Sequence, residues 1–341
     1  KDLTGTILRG ADLTDANLAG VDLTGRDLTG TILRGINLAD KDLTGTILTG
    51  ADLTGTKLTD FPGIDLTDKD LTGAILRNTD LTNKDLTGTI LRGADLTDAN
   101  LAGVSLAYKD LTGTILTGAD LTGAVLPSGY LSGKNFQGTI FNGVDLSGKD
   151  LSNSDFKYAD FAGANLENTN LTSASFAEVD LTKIKNKSLA GADLSRTSFA
   201  YSNLSDVSLA GAILKVTNFY HANLSGLDFT VTDVITDGII FIKSNLSNSN
   251  FEGVDLSPKE MYFNIFENKA YLMSGVTQSS EAEYVITDEL FGKNAEYRIN
   301  VVSVEVRGND LAVDYIYFNH FGEANLKNAN FKNTKLLYAN F

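Results

Sequence analysis

The sequence has no Cys and no Trp, and only 3 Pro, 2 Met and 2 His among 341 residues. Without Cys there is no disulfide framework, no thiol nucleophile and no Cys-ligated zinc or iron–sulfur cluster. Two isolated histidines, His221 and His320, are too few for a His-rich metal site and sit in no readable Ser-His-Asp arrangement. Walker A, HExxH and GxSxG signatures are missing too. Positive charge is scarce: 28 Lys+Arg face 43 Asp+Glu, a net of -15. That argues against any nucleic-acid binder that depends on a basic surface. The longest apolar run, near Ile239–Ile242, is far too short to cross a bilayer. What remains is 42% hydrophobic, enough for a core. Length alone suggests about two domains, but internal repetition overrides it.

Leu recurs every five residues from Leu3 to Leu58. The frame slips by three residues at 61–63, resumes at Leu66 and runs to Leu181, with Phe increasingly replacing Leu. A second three-residue slip falls at 183–186, and the frame decays at 234–240. It returns at Phe241–Leu256 and, after a long interruption, at Phe321–Phe341. Five is neither the helical nor the strand period. Each unit reads small, Asp/Asn, Leu/Phe, Thr/Ser, then Gly/Asn/Asp. If Leu points inward, strand alternation also turns the small residue inward and the residues flanking Leu outward. The fifth position holds residues that tolerate left-handed corners. Such units chain into an all-β solenoid whose coils pair through parallel backbone hydrogen bonds. Residues 1–21 recur identically at 84–104. The offset of 83, less the three-residue slip, is 80, or four coils of four units.

Ala11-Asp12-Leu13, Ala51-Asp52-Leu53, Ala99-Asn100-Leu101 and Ala164-Asn165-Leu166 resemble the A-(D/N)-L-x-x consensus of the pentapeptide-repeat family. The resemblance covers roughly four-fifths of the chain. It implies a right-handed quadrilateral parallel β-helix. About 14 coils at ~4.8 Å each would make a rod about 65 Å long. The fold does not specify a function, since unrelated roles share it.

Sorting outward residues onto four faces gives distinct columns. Face one carries an aspartate ladder: Asp2, Asp22, Asp42, Asp65 and Asp85. Faces two and three alternate Ile with Asp in antiphase, which yields a candidate apolar interaction stripe of Ile7, Ile32, Ile47, Ile75, Ile90 and Ile115. Exposed Ile also simply suits a pleated ladder. Lys1, Arg26, Lys41, Lys69, Lys84 and Lys109 occupy inward positions. Each is expected to snorkel through the corner to a stacked Asp. The ladder allows at most weak calcium binding, because no loop supplies a closed cage of oxygens.

Residues 257–315 leave the repeat and read as an inserted β-rich subdomain between a β-helix over 1–256 and its continuation over 316–341. A hairpin is expected at 301–318, with further strands at 284–286 and 297–299. No Glu precedes Glu167, whereas this segment is rich in it. Glu281, Glu283, Asp288, Glu289, Glu305 and Asp310 are its candidate recognition residues.

The resulting expectation is a non-catalytic scaffold without cofactor, acting through a protein partner or its own copies and not through direct nucleic-acid contact. The alternative implied by the resemblance is a DNA mimic that binds a type II topoisomerase (gyrase). Residues 1–130 carry 18 acids and 11 bases, a net of -7, which makes only a mild field for that role. Composition leans toward a cell-surface or secreted setting.

Overall fold

A computed structural model describes residues 6–38, 41–56, 65–232, 239–254 and 324–332 with their side chains. It describes the backbone alone at strand residues 234–235, 261–263, 282–287, 296–301, 303–307 and 310–315. In the first set the regular units fold the same way, and each of their five amides has an acceptor. The amide of the inward residue donates to the coil above, as Leu13 does to Ile32 O (2.9 Å). The amide before it donates to the coil below, as Ile32 does to Ala11 O (2.9 Å). Two residues after the inward one, Gly10 donates upward to Thr29 O (2.9 Å). Three after it, Ala11 closes the corner on Leu8 O (2.9 Å). The fifth amide, just after the inward residue, has no backbone partner, and the Asp or Asn side chain two residues earlier accepts it. Thr14 N–H to Asp12 Oδ1 (2.9 Å) is repeated at Thr29, Thr54 and Thr97 and, with Asn as acceptor, at Ala102 and Ser205. The Asp/Asn of the repeat is thus a backbone cap.

Parallel bridges such as Asp12–Ile32 and Asp80–Asn100 join each unit to the fourth unit after it, so four units close one coil. One column runs Asp12–Ile32–Asp52–Ile75–Asp95–Ile115. Its Asp52–Ile75 step is longer than its neighbours by three residues, as is Asn170–Asp193 in another column, so each slip lengthens one coil without moving the columns. The first slip, 61–63, lies outside the described residues. The second is a short 3-10 turn, Lys185–Lys187, in which Asn186 (φ 56) and Lys187 (φ 48) are left-handed. Near the frame decay, β1 (Ile213–Leu214) pairs parallel with β2 (Val234–Ile235), and the step Asn218–Ile240 is longer than the regular one by two residues.

Inside, Leu residues give way to Phe columns. Phe136, Phe156, Phe176, Phe199, Phe219 and Phe241 stack with centroids 5.2, 4.8, 5.4, 5.4 and 5.6 Å apart. In the column Phe229–Phe251–Phe331 the centroids are 4.3 and 4.9 Å apart, and the second step passes over the whole non-repeat segment of the sequence. The Asn245–Asn325 and Asn250–Asn330 bridges make the same long step, so the coil ending at 332 sits directly on the one ending at 254. Between them, β3 (Met261–Phe263), β4 (Ala282–Thr287), β5 (Glu296–Val301), β6 (Ser303–Arg307) and β7 (Asp310–Tyr315) pair antiparallel as β3–β7–β6 and β4–β5.

Corners take a left-handed residue, and their side chains obey a stacking rule. An Asp or Asn at one corner leans onto the coil above, where a Cβ would collide with it. Glycine follows at several such corners, as where Asp68 lies under Gly88 (φ 70) and Asp98 under Gly118 (φ 68), whereas Asn78, Asn153 and Asn248 are followed by Asp98, Ser173 and Asn328.

Candidate functional site

The aspartate ladder is where charge is densest on one line. Asp22, Asp42, Asp65 and Asp85 are exposed, and each Oδ1 accepts the amide of the Thr two residues on, at 2.8–2.9 Å. The Thr hydroxyls and amides hold all four carboxyls below the ordinary 3.8, so the ladder is fully ionised at neutral pH. Asp22 repels Asp42, and Asp85 repels Asp65. No bridge closes Asp22 on Asp42 or Asp65 on Asp85, where like charges oppose and an inward Lys, Lys41 or Lys84, precedes the upper Asp. Asp2 lies outside the described residues. Among those residues no group of acids or imidazoles converges on a metal position, so the calcium reading finds no site there.

The inward cations correct the snorkelling expectation. Lys41 Nζ donates to Val21 O (3.1 Å), Lys109 Nζ to Thr89 O (2.9 Å), and Lys134 Nζ to Leu111 O and Thr114 O (2.7 and 3.0 Å). They meet carbonyls of the coil below, not carboxylates. The reason is reach: the ammonium enters the wall where the next residue's ladder amide would bond. On the Ile7/Asp27 column, Asp27–Ile47 and Asp70–Ile90 are bridged, and no bridge forms at the rungs of Arg26, Lys69 or Lys109. Burial pushes Lys109 and Lys134 below the ordinary 10.5, with Asp85 opposing for the first and Asp110 for the second. Thr at the same inward position fits better, since Thr46 and Thr89 donate to Leu23 O and Leu66 O at 2.8 and 2.7 Å and keep the rung.

The Ile positions form a zigzag and not a continuous strip. Ile7, Ile47, Ile90 and Ile115 are exposed, whereas Ile32 and Ile75 are half-buried. Within each column an Asp separates successive Ile residues. The separation has a partner rule. The Arg after an Ile pairs with the Asp of the next coil: Arg9 with Asp27 (3.4 Å), Arg34 with Asp52 (2.5 Å), Arg77 with Asp95 (2.6 Å). Asp52 and Asp95 are buried at outward positions. Burial pushes their carboxyls up, but the Thr and Arg bonds outweigh it and the net shift is downward.

A feature absent from the sequence reading is a ridge of bulky left-handed corners: Tyr158 (φ 63), Glu178 (φ 63), Tyr201 (φ 61), His221 (φ 55) and Lys243 (φ 57). Here side chains stack on one another in place of a glycine. Tyr201 and His221 lie parallel at 5.0 Å, and Tyr220 meets His221 edge-on at 4.5 Å. Lys157 covers the Tyr158 ring at 4.7 Å and pairs with Glu178 at 3.5 Å. The signal was in the sequence: Tyr and His at fifth positions that otherwise hold Gly, Asp or Asn.

A recess of about 460 Å³ beside Tyr130, Ile115 and Lys134 contains one titratable cation, already committed to two carbonyls. Glu283, Glu305 and Asp310 lie in β4, β6 and β7. Glu281, Asp288, Glu289 and His320 lie outside the described residues. No helix among the described residues is long and apolar enough to cross a membrane.

The five-residue unit agrees with a family comparison. Eight copies of the pentapeptide-repeat model match residues 2–185 and 188–233, well over half the chain. The chain belongs to the pentapeptide-repeat family. A right-handed β-helix comes with that membership, and the family's members are generally structural or interaction proteins and not enzymes. Solved structures similar to it include HetL of the cyanobacterium Nostoc, involved in heterocyst differentiation regulation, at 28% identity. That match covers 72% of this chain and 92% of HetL, with a TM-score of 0.28. QnrB1, a plasmid-mediated fluoroquinolone resistance protein, is 16% identical over 64% of this chain and 84% of its own, with a TM-score of 0.29. A thylakoid-lumen pentapeptide-repeat protein of Arabidopsis thaliana is 29% identical over 35% of this chain and 71% of its own, with a TM-score of 0.12. No curated protein matches.

Proposed function

We propose that this pentapeptide-repeat protein is a rigid, four-sided, non-catalytic rod that works as a scaffold through protein contacts, its own copies included. It contacts no nucleic acid directly. Residues 257–315 form a β-rich unit inserted into the rod, and the Ile zigzag and the acidic insert are its candidate contact regions. The observation that carries this reading is the commitment of polar groups to the backbone. Among the described residues carboxylates cap amides, hydroxyls and ammonium groups bind carbonyls, and no free acid–base set is left to do chemistry. A photo-cross-linking residue placed in turn at an outward position of each column, in the cell that makes the protein, is expected to trap proteins from one side of the rod. Equal trapping from all four columns, or none, would overturn the scaffold reading.

The second reading, a DNA mimic acting on gyrase, is favoured by one feature. Between Asp22 and Glu252 the ladder column bears eight outward acids and no base: Asp22, Asp42, Asp65, Asp85, Asp145 and Asp228 before the inward residue, Glu167 and Glu252 after it. Twelve coils at ~4.8 Å space these charges about 7 Å apart. Duplex DNA carries a charge every ~1.7 Å, so the field is several times weaker. A supercoiling assay decides it: no effect on gyrase at micromolar protein removes the mimic.

A further inference from the structure

The charge of the rod is lopsided. Call the ladder side column one. The column that begins at Asp12 and ends at Ile240 is column three, two units away in either direction. Over the same number of coils its outward positions carry four acids (Asp12, Asp52, Asp95, Asp155) and three bases (Arg34, Arg77, Lys157), a net of -1 against -8. Two of its acids are ion-paired within the column, and Asp155 accepts Gln137 Nε2 at 2.6 Å. From Ser175 to Ile242 the outward positions of column three bear no charge at all.

Burial separates the two sides further. The outward acids of column one are exposed at Asp22, Asp42, Asp65, Asp85 and Asp145. On column three Asp52, Asp95, Ser198, Ala200 and Asn218 are buried, and Ile32, Ile75, Ser175, Ala177 and Ile242 are half-buried. Two buried polar atoms there, Ser198 Oγ and Asn218 Nδ2, have no partner. Column three is therefore a smooth, nearly neutral sheet face, edged by the Tyr158–His221 ridge, on a strongly acidic molecule.

We infer that column three docks a second copy of this chain. Charge decides the occupant. Two rods of net -15 repel unless they approach through the side that carries almost none of that charge. Pairing column three on column three turns both acidic ladders outward, as far apart as the rods allow. Asp52 and Asp95 are already buried and Arg-paired, so the desolvation left to docking at these rungs falls on the half-exposed Arg34 and Arg77. Twelve coils give a face about 50 Å by about 10 Å, on the order of 500 Å² per copy. That is at the low end of specific interfaces, so the association expected is weak and reversible. The inference rests on the four-sided rod proposed above.

Sedimentation equilibrium of the full chain tests it. The native protein is expected to be a reversible dimer at tens of micromolar. Ile115→Glu with Ala177→Glu, which puts like charges face to face, should weaken it at least about tenfold. Thr44→Glu with Thr67→Glu, on column one, should leave it unchanged. A protein that stays monomeric up to ~100 µM in ~0.15 M salt overturns the inference. So does equal weakening by the column-one pair. Because the chain has no native Cys, a second readout needs no paired variant. Ile115→Cys at mid-rod should cross-link to itself with a short bismaleimide, and Thr67→Cys should not; the reverse pattern contradicts the inference. If column three traps a different protein and the chain is monomeric, self-docking fails and the scaffold reading stands. If no column traps a protein, the scaffold reading fails.

Discussion

The two ends of the rod solve one backbone problem with different side chains. In residues 6–126 the core is Leu and the caps are mostly Asp, and several inward positions hold Lys or Arg. Like charges are kept apart by alternating Asp with Ile and by lending Asp27, Asp52 and Asp95 an Arg from the coil below. On the ladder column, where Asp follows Asp and Lys41 and Lys84 fill the inward positions, Asp22–Asp42 and Asp65–Asp85 are unbridged, and the alternating Ile7/Asp27 column loses its bridges at Arg26, Lys69 and Lys109. In residues 131–254 Phe columns join Leu in the core and Asn joins Asp among the caps. An Asn accepts the local amide with Oδ1 and still has a donor for the next coil. Asn223 Nδ2 donates to Asn203 Oδ1 (3.0 Å), Asn245 to Asn223 (2.9 Å) and Asn325 to Asn245 (3.1 Å). An ionised Asp accepts but cannot donate. The comparison teaches that stacking identical residues along a solenoid is stabilising when the side chain is self-complementary and costly when it is an anion.

The contrast can be broken most forcefully in the Phe core. Phe199→Ala removes a fully buried ring from between Phe176 and Phe219 and should cost about 3–5 kcal/mol in denaturant unfolding. Because repeats couple mainly to their neighbours, amide exchange should loosen around 199 well before residues 6–126. Next in size is a reciprocal pair of cap swaps. Asn223→Asp keeps the acceptor for Ser225 but loses the donor to Asn203, and sets an anion beside its neighbours. A loss of about 1–3 kcal/mol is expected. Asp42→Asn keeps the acceptor for Thr44 and removes repulsion from Asp22, so stability should hold or rise slightly. Equal and opposite results for the pair would break the comparison. Smaller still, Lys109→Thr replaces a buried ammonium by the hydroxyl that completes neighbouring rungs at Thr89 and Thr114. It should be neutral or stabilising by about 1 kcal/mol. The Asp110 amide should become more protected from exchange as the rung closes.

Much of the fold was legible, because period, inward residue and corner tolerance are properties of spacing. The duplication of 1–21 at 84–104 even set four units per coil, and the longer bridge steps at both slips follow the same count. Hydrogen-bond partners were not legible. Spacing placed Asp22 and Asp42 outward in a ladder, but it did not say that one oxygen of each serves the Thr24 or Thr44 amide. It placed Lys41 inward, but not its ammonium on the Val21 carbonyl. The ridge at Tyr201 and His221 escaped because a corner position predicts small or Asx residues. Mutual stacking makes up for the left-handed strain there.

Acid separates the two ends with the sign set by the caps. Asp12, Asp22, Asp27, Asp42 and Asp85, caps within residues 6–126, have folded pKa values below the ordinary 3.8. Their contribution is therefore complete above that value and is lost as pH falls through the lower, folded one. The Asn caps do not titrate. Residue-resolved amide exchange at pH 6 and at pH 2.5, expressed as protection relative to unstructured peptide, reads this directly. The account predicts that the Thr24, Thr44, Thr67 and Thr87 amides, each held by an ionised Asp, are protected at pH 6 and lose much of that protection at pH 2.5. The Ser205, Ser225 and Ser247 amides, held by Asn, should keep theirs. Parallel loss in both groups, or no protection of the Thr amides at pH 6, would contradict the claim that these side chains serve the backbone first.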